Sequence, residues 1–424
     1  MTGRLAPMTG RPAPQSPPAG SVPVVHGRLL SAATTDLAVH LRHNGPVPWR
    51  GEVGPLLADI EASGLTGRGG AGFPTWRKLV AVAPRQRAVV VANAAESEPA
   101  SAKDASLLTW APHLVLDGLQ LATEAVGARE AYLYAKAGPP LALARRALVA
   151  RRADGWDRVP VRVVEAPPVF LAGEESAVIA RIEGRTALPR DKARLVVESG
   201  LDGRPTLVQN VETLAHLALI ARRGPGWFRQ VGTPTEPGTF LATVSGRAAK
   251  VVVEAPYGVP LGDLLALACV DASDAGAMLV GGYHGAWLPA SPGLGVPVSR
   301  EALAPWHASP GAGVIVVLGP HECGLTASAR ILEYLAHQSA RQCGPCLNGL
   351  PALAGTVARL AAGEPDRGLP AELDRLARLV DGRGACHHPD GSVRMLRSAL
   401  RTFAADVQAH LAGWCTARTG KDPR

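Results

Sequence analysis

The chain has 424 residues, a formal net charge of +8 and 47% hydrophobic residues, enough for roughly two to four domains with substantial cores. Its six cysteines are too few for a disulfide scaffold of this length, and they fit a reducing compartment where thiols serve metal or redox work. The charge, mostly arginine, comes without a helix-turn-helix, finger or basic–aromatic RNA signature, so nucleic-acid binding is not expected. It reads either as compositional bias or as a basic face for an acidic electron-transfer partner. No apolar run reaches the roughly 18 residues that a membrane span requires.

Residues 1–28, rich in Pro, Gly, Ser and Arg, lack a continuous apolar segment and read as a disordered tail rather than a signal peptide. An α/β domain is expected over 29–235. Apolar runs at 88–92, 131–134 and 161–164 read as buried strands, and 112–125 reads as a helix between them. Residues 236–320 form a small α+β module with strands at 240–244, 251–254, 277–280 and 312–318 and a helix at 261–268. Between 321 and 415 the rhythm is helical. It is carried by Leu332, Leu335, Ala336 and Ser339; by Leu350, Leu353, Val357 and Leu360; by Leu373, Leu376 and Val380; and by Leu396, Leu400, Phe403, Val407 and Leu411. Four amphipathic helices with short links read as a bundle, followed by a tail at 416–424.

Cys343-Gly-Pro-Cys346 falls in the first link of that bundle and Cys386 in the third, so loops at one end could bring three thiols together. His387 and His388 follow directly. Upstream, the loop from Gly64 to Pro74 holds glycines at 67, 69, 70 and 72 after a segment of helical period, the wrong context for a dinucleotide fingerprint. Consecutive glycines still let backbone amides approach a phosphate, and Phe73-Pro74 opens a helix whose N-terminus favours anions, with Arg68 and Lys78 nearby. The strand at 88–92 runs into Asn93, Glu96 and Glu98, at the strand end where open α/β sheets bind ligands. Gly173-Glu174-Glu175 opens a further helix, where the carboxylates also suit the first turn.

Taken together, Gly64–Lys78, Asn93–Asp104, Gly173–Gly184, Gly203–Leu214 and Cys343–Gly349 with Cys386 resemble the NADH-binding flavoprotein subunit of respiratory complex I and its soluble relatives in formate dehydrogenases and hydrogenases. The resemblance implies an α/β flavin domain, a β-grasp module of the soluble-ligand-binding type and a C-terminal four-helix bundle holding a [4Fe–4S] cluster. Gly67, Arg68, Gly69, Gly70 and Lys78 then correspond to FMN-holding positions, as do Asn93, Gln209 and Asn210, with Gly173 and Glu174 also binding cofactor. Phe73, Glu98, Glu175 and Lys192 match the nicotinamide nucleotide site, where Glu98 and Glu175 take the catalytic part. The implied reaction moves a hydride from NAD(H) to FMN and then single electrons through the cluster to a ferredoxin-like or [2Fe–2S] protein, or into a larger redox complex. The implied location is cytoplasmic or peripheral to a membrane complex.

The chain departs from the family in places. Ala340 stands where the first of three closely spaced cysteines is usual, leaving Cys343, Cys346 and Cys386, with His387, another Cys or solvent for the fourth iron, or a three-iron form. Ala95 replaces an Asp, Phe170 a Tyr and Leu195 an adenine-stacking aromatic. Two other readings follow from these departures. One is an electron conduit that exchanges with ferredoxin-like partners without NADH. The other is a binding protein stabilised by zinc on Cys343, Cys346, Cys386 and His387.

Overall fold

The computed structural model describes residues 24–25, 27–51, 53–83, 87–190, 194–247 and 250–418. It begins with strand β1 (Val24–Val25) and helices α1 (Leu37–Asn44), α2 (Val53–Ser63) and α3 (Thr75–Val82). An α/β unit follows: β2 (Val89–Ala94), α4 (Lys103–Trp110), α5 (Pro112–Val126), β3 (Glu130–Lys136), α6 (Pro139–Ala153), β4 (Val161–Ala166), α7 (Glu175–Ile182), β5 (Thr206–Asn210) and α8 (Val211–Phe228). The next unit comprises β6 (Thr239–Ser245), β7 (Lys250–Pro256), α9 (Leu261–Leu267), β8 (Ala277–Val280), β9 (Ala286–Pro289), short α10 (Ala290–Gly293) and α11 (Arg300–Leu303), and β10 (Val314–Leu318). Helices α12 (Gly324–His337), α13 (Leu350–Ala361), α14 (Leu369–Val380), α15 (His388–Thr402) and α16 (Ala404–Leu411) come last.

The first sheet is parallel throughout, in the order β4-β3-β2-β5. From β2 the chain proceeds to β3 on one side, while β5 joins β2 on the other. The strand order therefore switches direction between β2 and β5, and the crevice beyond their carboxyl ends is the natural ligand position in such a sheet. Asn93 pairs with Asn210 there, and Ala92 with Gln209. The second sheet is mixed, in the order β1-β7-β6-β10-β8-β9, with β10 parallel to β6 and the β6–β7 and β8–β9 pairs antiparallel.

Helix α5 starts with Pro112 in its first turn and ends at Gly127 in the left-handed conformation, as a sharply delimited helix should. It packs against α8, α2, α6 and β2, so every residue except Glu124 is buried. At Gly118 the backbones of α5 and α8 nearly touch: a Cβ there would lie 1.9 Å from the Leu214 carbonyl oxygen. Alanine would gain about 1 kcal/mol of helix propensity in isolation. A backbone oxygen cannot swing aside, so Gly118→Ala is expected to lose about 1–3 kcal/mol net, read from urea unfolding. Beside it, the fully buried Asp117 carboxylate accepts from His40 at 2.8 Å, Arg151 at 2.8 Å and Arg222 at 2.6 Å, tying α1, α6 and α8 to α5.

Three expectations change. Val24 and Val25 pair in parallel with Val252 and Val253, so part of the stretch expected to be tail is a strand. Residues 1–23 and 419–424 lie outside the described residues, and Thr416–Arg418 forms a short turn of helix. The helical region holds five helices rather than four. The apolar rhythm runs on through Phe403, but φ −106° and ψ 33° there separate α15 from α16. The Phe403 ring fills the space beside Gly324, where a Cβ would lie 2.3 Å from it. Strand β9 (Ala-Trp-Leu-Pro) lies outside the expected strands: unlike the equally short Ala-Met-Leu-Val of β8 it ends in proline and carries no β-branched residue. Among the described residues no helix is long and apolar enough to cross a membrane.

Candidate functional site

The glycine loop is closed at its base, where the Gly67 amide donates to the Phe73 carbonyl at 2.8 Å and the Thr75 amide to Leu65 at 2.9 Å. Arg300 holds its tip, donating to the Gly70 carbonyl at 3.1 Å. Its guanidinium occupies the place a Cβ on Gly72 would take, and Gly72 has φ +62°. The loop lies over the end of β5, since a Cβ on Gly69 would meet Asn210 at 3.5 Å. Between loop and strand ends is a cavity of about 110 Å³ lined by Gly67, Gly69, Lys78, Asn93, Gln209 and Thr213. It adjoins a cleft of about 470 Å³, with which it shares Gly69, Asn93, Gly173 and Asn210.

The polar groups in the smaller cavity divide into occupied and open ones. The Asn93 side chain donates to the Gly173 carbonyl at 2.9 Å and accepts from the Ala95 amide at 3.1 Å. Asn210 caps α8 by accepting from the Glu212 amide at 3.0 Å, and it donates to Asp104 at 2.8 Å. Buried Gln209, in contrast, has an Nε2 without a hydrogen-bond partner. Gln209 belongs to the lining of this cavity, and an amide side chain beside glycine backbone fits the carbonyl-bearing edge of a flavin ring. Lys78 pairs with Glu175 and donates to the Val208 carbonyl at 3.4 Å, so the ammonium stands at the same cavity wall. Phe73 is 45% exposed at the loop's end.

Two expected site residues work elsewhere. Arg68 is only 3% exposed, but its guanidinium turns away from the cavity. It donates to the Thr66 hydroxyl at 2.7 Å and the Pro237 carbonyl at 3.3 Å, and it stacks over Tyr257 at 4.6 Å. Only its neighbours' backbone faces the cavity. Glu174 caps α7 by accepting from the Ser176 and Ala177 amides at 2.9 and 3.0 Å, although it still lines the larger cleft. Lys192 lies outside the described residues.

The acidic segment after β2 is half-buried rather than a solvated loop. Glu98 accepts from the Tyr283 amide at 2.9 Å, and burial pushes its carboxyl up to about 7. Glu96 accepts from the Asp104 and Ala105 amides at the start of α4, and burial together with the Asp104 charge raises it too. Beneath them Lys103, 2% exposed, reaches Asp104 at 2.7 Å, Glu212 at 2.9 Å and the Asn210 side-chain oxygen at 3.1 Å. Desolvation opposes its charge, but the carboxylates outweigh it and hold the ammonium above its ordinary value. Sequence reasoning missed this hub because Glu212 lies far along the chain from Lys103. Across the cleft, Phe170 packs on His284 at 4.9 Å and on His388 at 5.5 Å, while Leu195 is 59% exposed.

The far wall of the larger cleft includes Cys386. Cys346 and Cys386 are 2% and 7% exposed, and Cys343 is half-buried. Burial works against the Cys343 thiolate, yet the Ala385 and Cys346 amides directed at its sulfur bring it below the ordinary thiol value. Burial and the Cys343 neighbour push Cys346 up, and the Cys386 charge also acts on it. The Ala385 and Cys346 amides support thiolate charge at Cys343, which fits iron–sulfur ligation. A single tetrahedral zinc would hold sulfurs about 3.8 Å apart. Among the described residues, these thiols and His387 do not form a group within 4.8 Å, so the geometry does not favour the Cys₃His zinc site. His387 is 84% exposed, its Nδ1 3.7 Å from Asp390, while His388 turns inward to the Leu335 carbonyl at 2.8 Å. Cys323 starts α12, whose 14 residues place it about 20 Å from the end that leads to Cys343.

Comparison with known proteins gives consistent matches. Residues 60–219 match the family model described as the Nuo51 FMN-binding domain. Residues 326–410 match the NADH-ubiquinone oxidoreductase-F iron-sulfur binding region. An F-type subunit of NADH-quinone oxidoreductase of Rhizobium meliloti (strain 1021), the second of that type, is 31% identical over 369 residues, covering 83% of this chain and 87% of that protein. The corresponding F-type subunit of Streptomyces coelicolor (strain ATCC BAA-471 / A3(2) / M145) is 30% identical over 407 residues, covering 89% and 88%. Among solved structures, the air-oxidized NAD⁺-reducing [NiFe]-hydrogenase superposes with a TM-score of 0.83 at 31% identity, covering 92% of this chain and 68% of that one.

Proposed function

Because this chain belongs to the family of NADH-quinone oxidoreductase F-type subunits, with its FMN-binding domain and 4Fe–4S-binding region, we propose that it oxidises NADH and passes electrons singly to a ferredoxin-like or [2Fe–2S] partner within a redox complex. The observation that carries this reading is that Cys386 and the glycine loop line the same cleft. Bound FMN would supply hydride acceptance and one-electron release, and a bound iron–sulfur centre would supply one-electron exchange.

The chain's own residues position these groups. The glycine backbone and Lys78 form the anion-facing side of the smaller cavity, and Gln209 Nε2 offers the unused donor. Cys343, Cys346 and Cys386 hold the metal centre with three thiolates, Ala340 contributing none. Phe73 and Glu98 flank the nucleotide, and Glu175 holds Lys78 in place. The β6–β7 hairpin, α9 and the return of β10 parallel to β6 support the β-grasp reading of the middle unit.

Anaerobic addition of NADH as sole donor tests the proposal: flavin absorption should bleach. Bleaching by a reduced ferredoxin but not by NADH would replace it with the NADH-independent conduit.

Glu98 gives the site a pH dependence. Its folded value of about 7 exceeds the ordinary 4.5. Its contribution to stability is therefore full below 4.5 and is lost as pH rises through 7. Ionised Glu98 also places a negative charge in a cleft that must admit pyrophosphate. Between about pH 6 and 8 the KM for NADH should rise roughly 5-fold, on the order of 1 kcal/mol for like charges some 4 Å apart in water. Glu98→Gln should flatten that profile in steady-state assays.

A further inference from the structure

At the opposite end of α12 from the iron-binding thiols, three soft ligands meet outside the proposed electron path. Cys323 Sγ, His410 Nε2 and the Cys415 thiol lie within 4.8 Å of one another. We propose that they form a second metal site, for a single divalent ion of the zinc class, which fastens the chain's last helix to the start of α12.

The geometry suits an ion. One sulfur at roughly 2.3 Å and one imidazole nitrogen at roughly 2.0–2.1 Å around tetrahedral zinc are about 3.5 Å apart. Cys323 Sγ and His410 Nε2 are 3.4 Å apart. The supporting contacts suit it as well. His410 is 3% exposed, and its Nδ1 meets the Leu360 carbonyl at 3.1 Å. A carbonyl only accepts, so Nδ1 carries the proton and the Nε2 lone pair faces Cys323. That is the arrangement by which a backbone oxygen orients a metal-binding histidine. Cys323 sits at the N-cap of α12, accepting from the Thr326 amide at 3.4 Å, so its sulfur is held facing the group.

The ligands come from either side of the helical region. Cys323 precedes α12, while His410 lies in the last turn of α16 and Cys415 just beyond it. Binding releases the two thiol protons and leaves the fourth tetrahedral position to solvent, which the part-exposed Cys323 and Cys415 permit. The sequence offered no spacing cue, because Cys323 and His410 are 87 residues apart along the chain. Nothing in this site depends on FMN, NADH or the iron centre.

Metal analysis of the anaerobically isolated full chain tests the proposal, followed by titration of the metal-stripped site with Co²⁺. One zinc per chain beyond the iron is expected, and Co²⁺ should give a thiolate-to-cobalt charge-transfer band. Cys415→Ser, near the chain end, should weaken Co²⁺ binding by about 100-fold or more, beyond what loss of a supporting hydrogen bond costs. Flavin and iron should stay at the unaltered level, which reports on folding. A variant with Cys343, Cys346 and Cys386 all changed to Ser should keep the zinc. Any of three results would overturn the site: no zinc or cobalt bound, undiminished binding by Cys415→Ser, or zinc lost with the Cys343, Cys346 and Cys386 thiols. Recovery of Cys323 and Cys415 as a disulfide from anaerobic material would overturn it too.

Discussion

Cys346→Ser should strip iron and acid-labile sulfide from the anaerobically isolated protein by about tenfold or more, while flavin stays at the level of the unaltered chain. Direct ligands matter more than the supporting contacts whose loss costs roughly 10- to 100-fold in metal affinity. Here there is no reserve: Ala340 leaves three thiolates, and Cys323 is held at the far end of α12. Cys346 is also the most deeply buried of the three. None of them lines the smaller cavity, so flavin retention separates loss of the metal centre from loss of the fold. Iron, sulfide and flavin assays on one preparation read the result. Iron retained in full would remove Cys346 from the ligand set.

Lys103→Met should cost about 3–5 kcal/mol in urea unfolding, the range for removing one partner of a buried ion pair. Methionine keeps the volume but leaves Asp104 and Glu212, with side chains 6% and 1% exposed, without their counter-charge. Glu212 also accepts from the Leu241 amide at 2.8 Å, so the loss spreads from α8 into β6. Burial already raises Glu212, with Lys103 the largest opposing influence. Removing that influence raises the folded value further above the unfolded one, so stability falls as pH rises. The deficit should be larger near pH 8 than near pH 5. An equal deficit at both would mean that packing, not charge, is what Lys103 supplies.

Local signals carried much of the architecture. Short apolar runs, Val-rich in β2 and β4 and Tyr-Leu-Tyr in β3, marked those strands, and the helical rhythm around Leu335, Leu353 and Leu373 marked α12 to α14. Cys-x-x-Cys stands out because it sets two thiols within reach of one centre, and the glycine loop because it lets backbone amides approach a ligand. What was hidden depends on partners far along the chain. The Arg68 guanidinium is engaged by Tyr257 and Pro237, and Lys103 is fixed by Glu212. Glu174 looked like a cofactor contact and serves α7 first, because a carboxylate before a helix meets open amides whether or not a ligand is near. Phe403 keeps the helical rhythm while separating two helices, and its ring packs beside Gly324, far earlier in the chain. In the Cys323–His410–Cys415 group only the His410–Cys415 spacing is local, and Cys323 joins from far along the chain.

Electron paramagnetic resonance on an anaerobic sample, before and after NADH, with flavin absorbance recorded in parallel, tests whether the cleft and the thiols are one path. Flavin bleaching together with a new reduced iron–sulfur signal is the expected result. Bleaching with the iron unchanged, or no response to NADH, would contradict it.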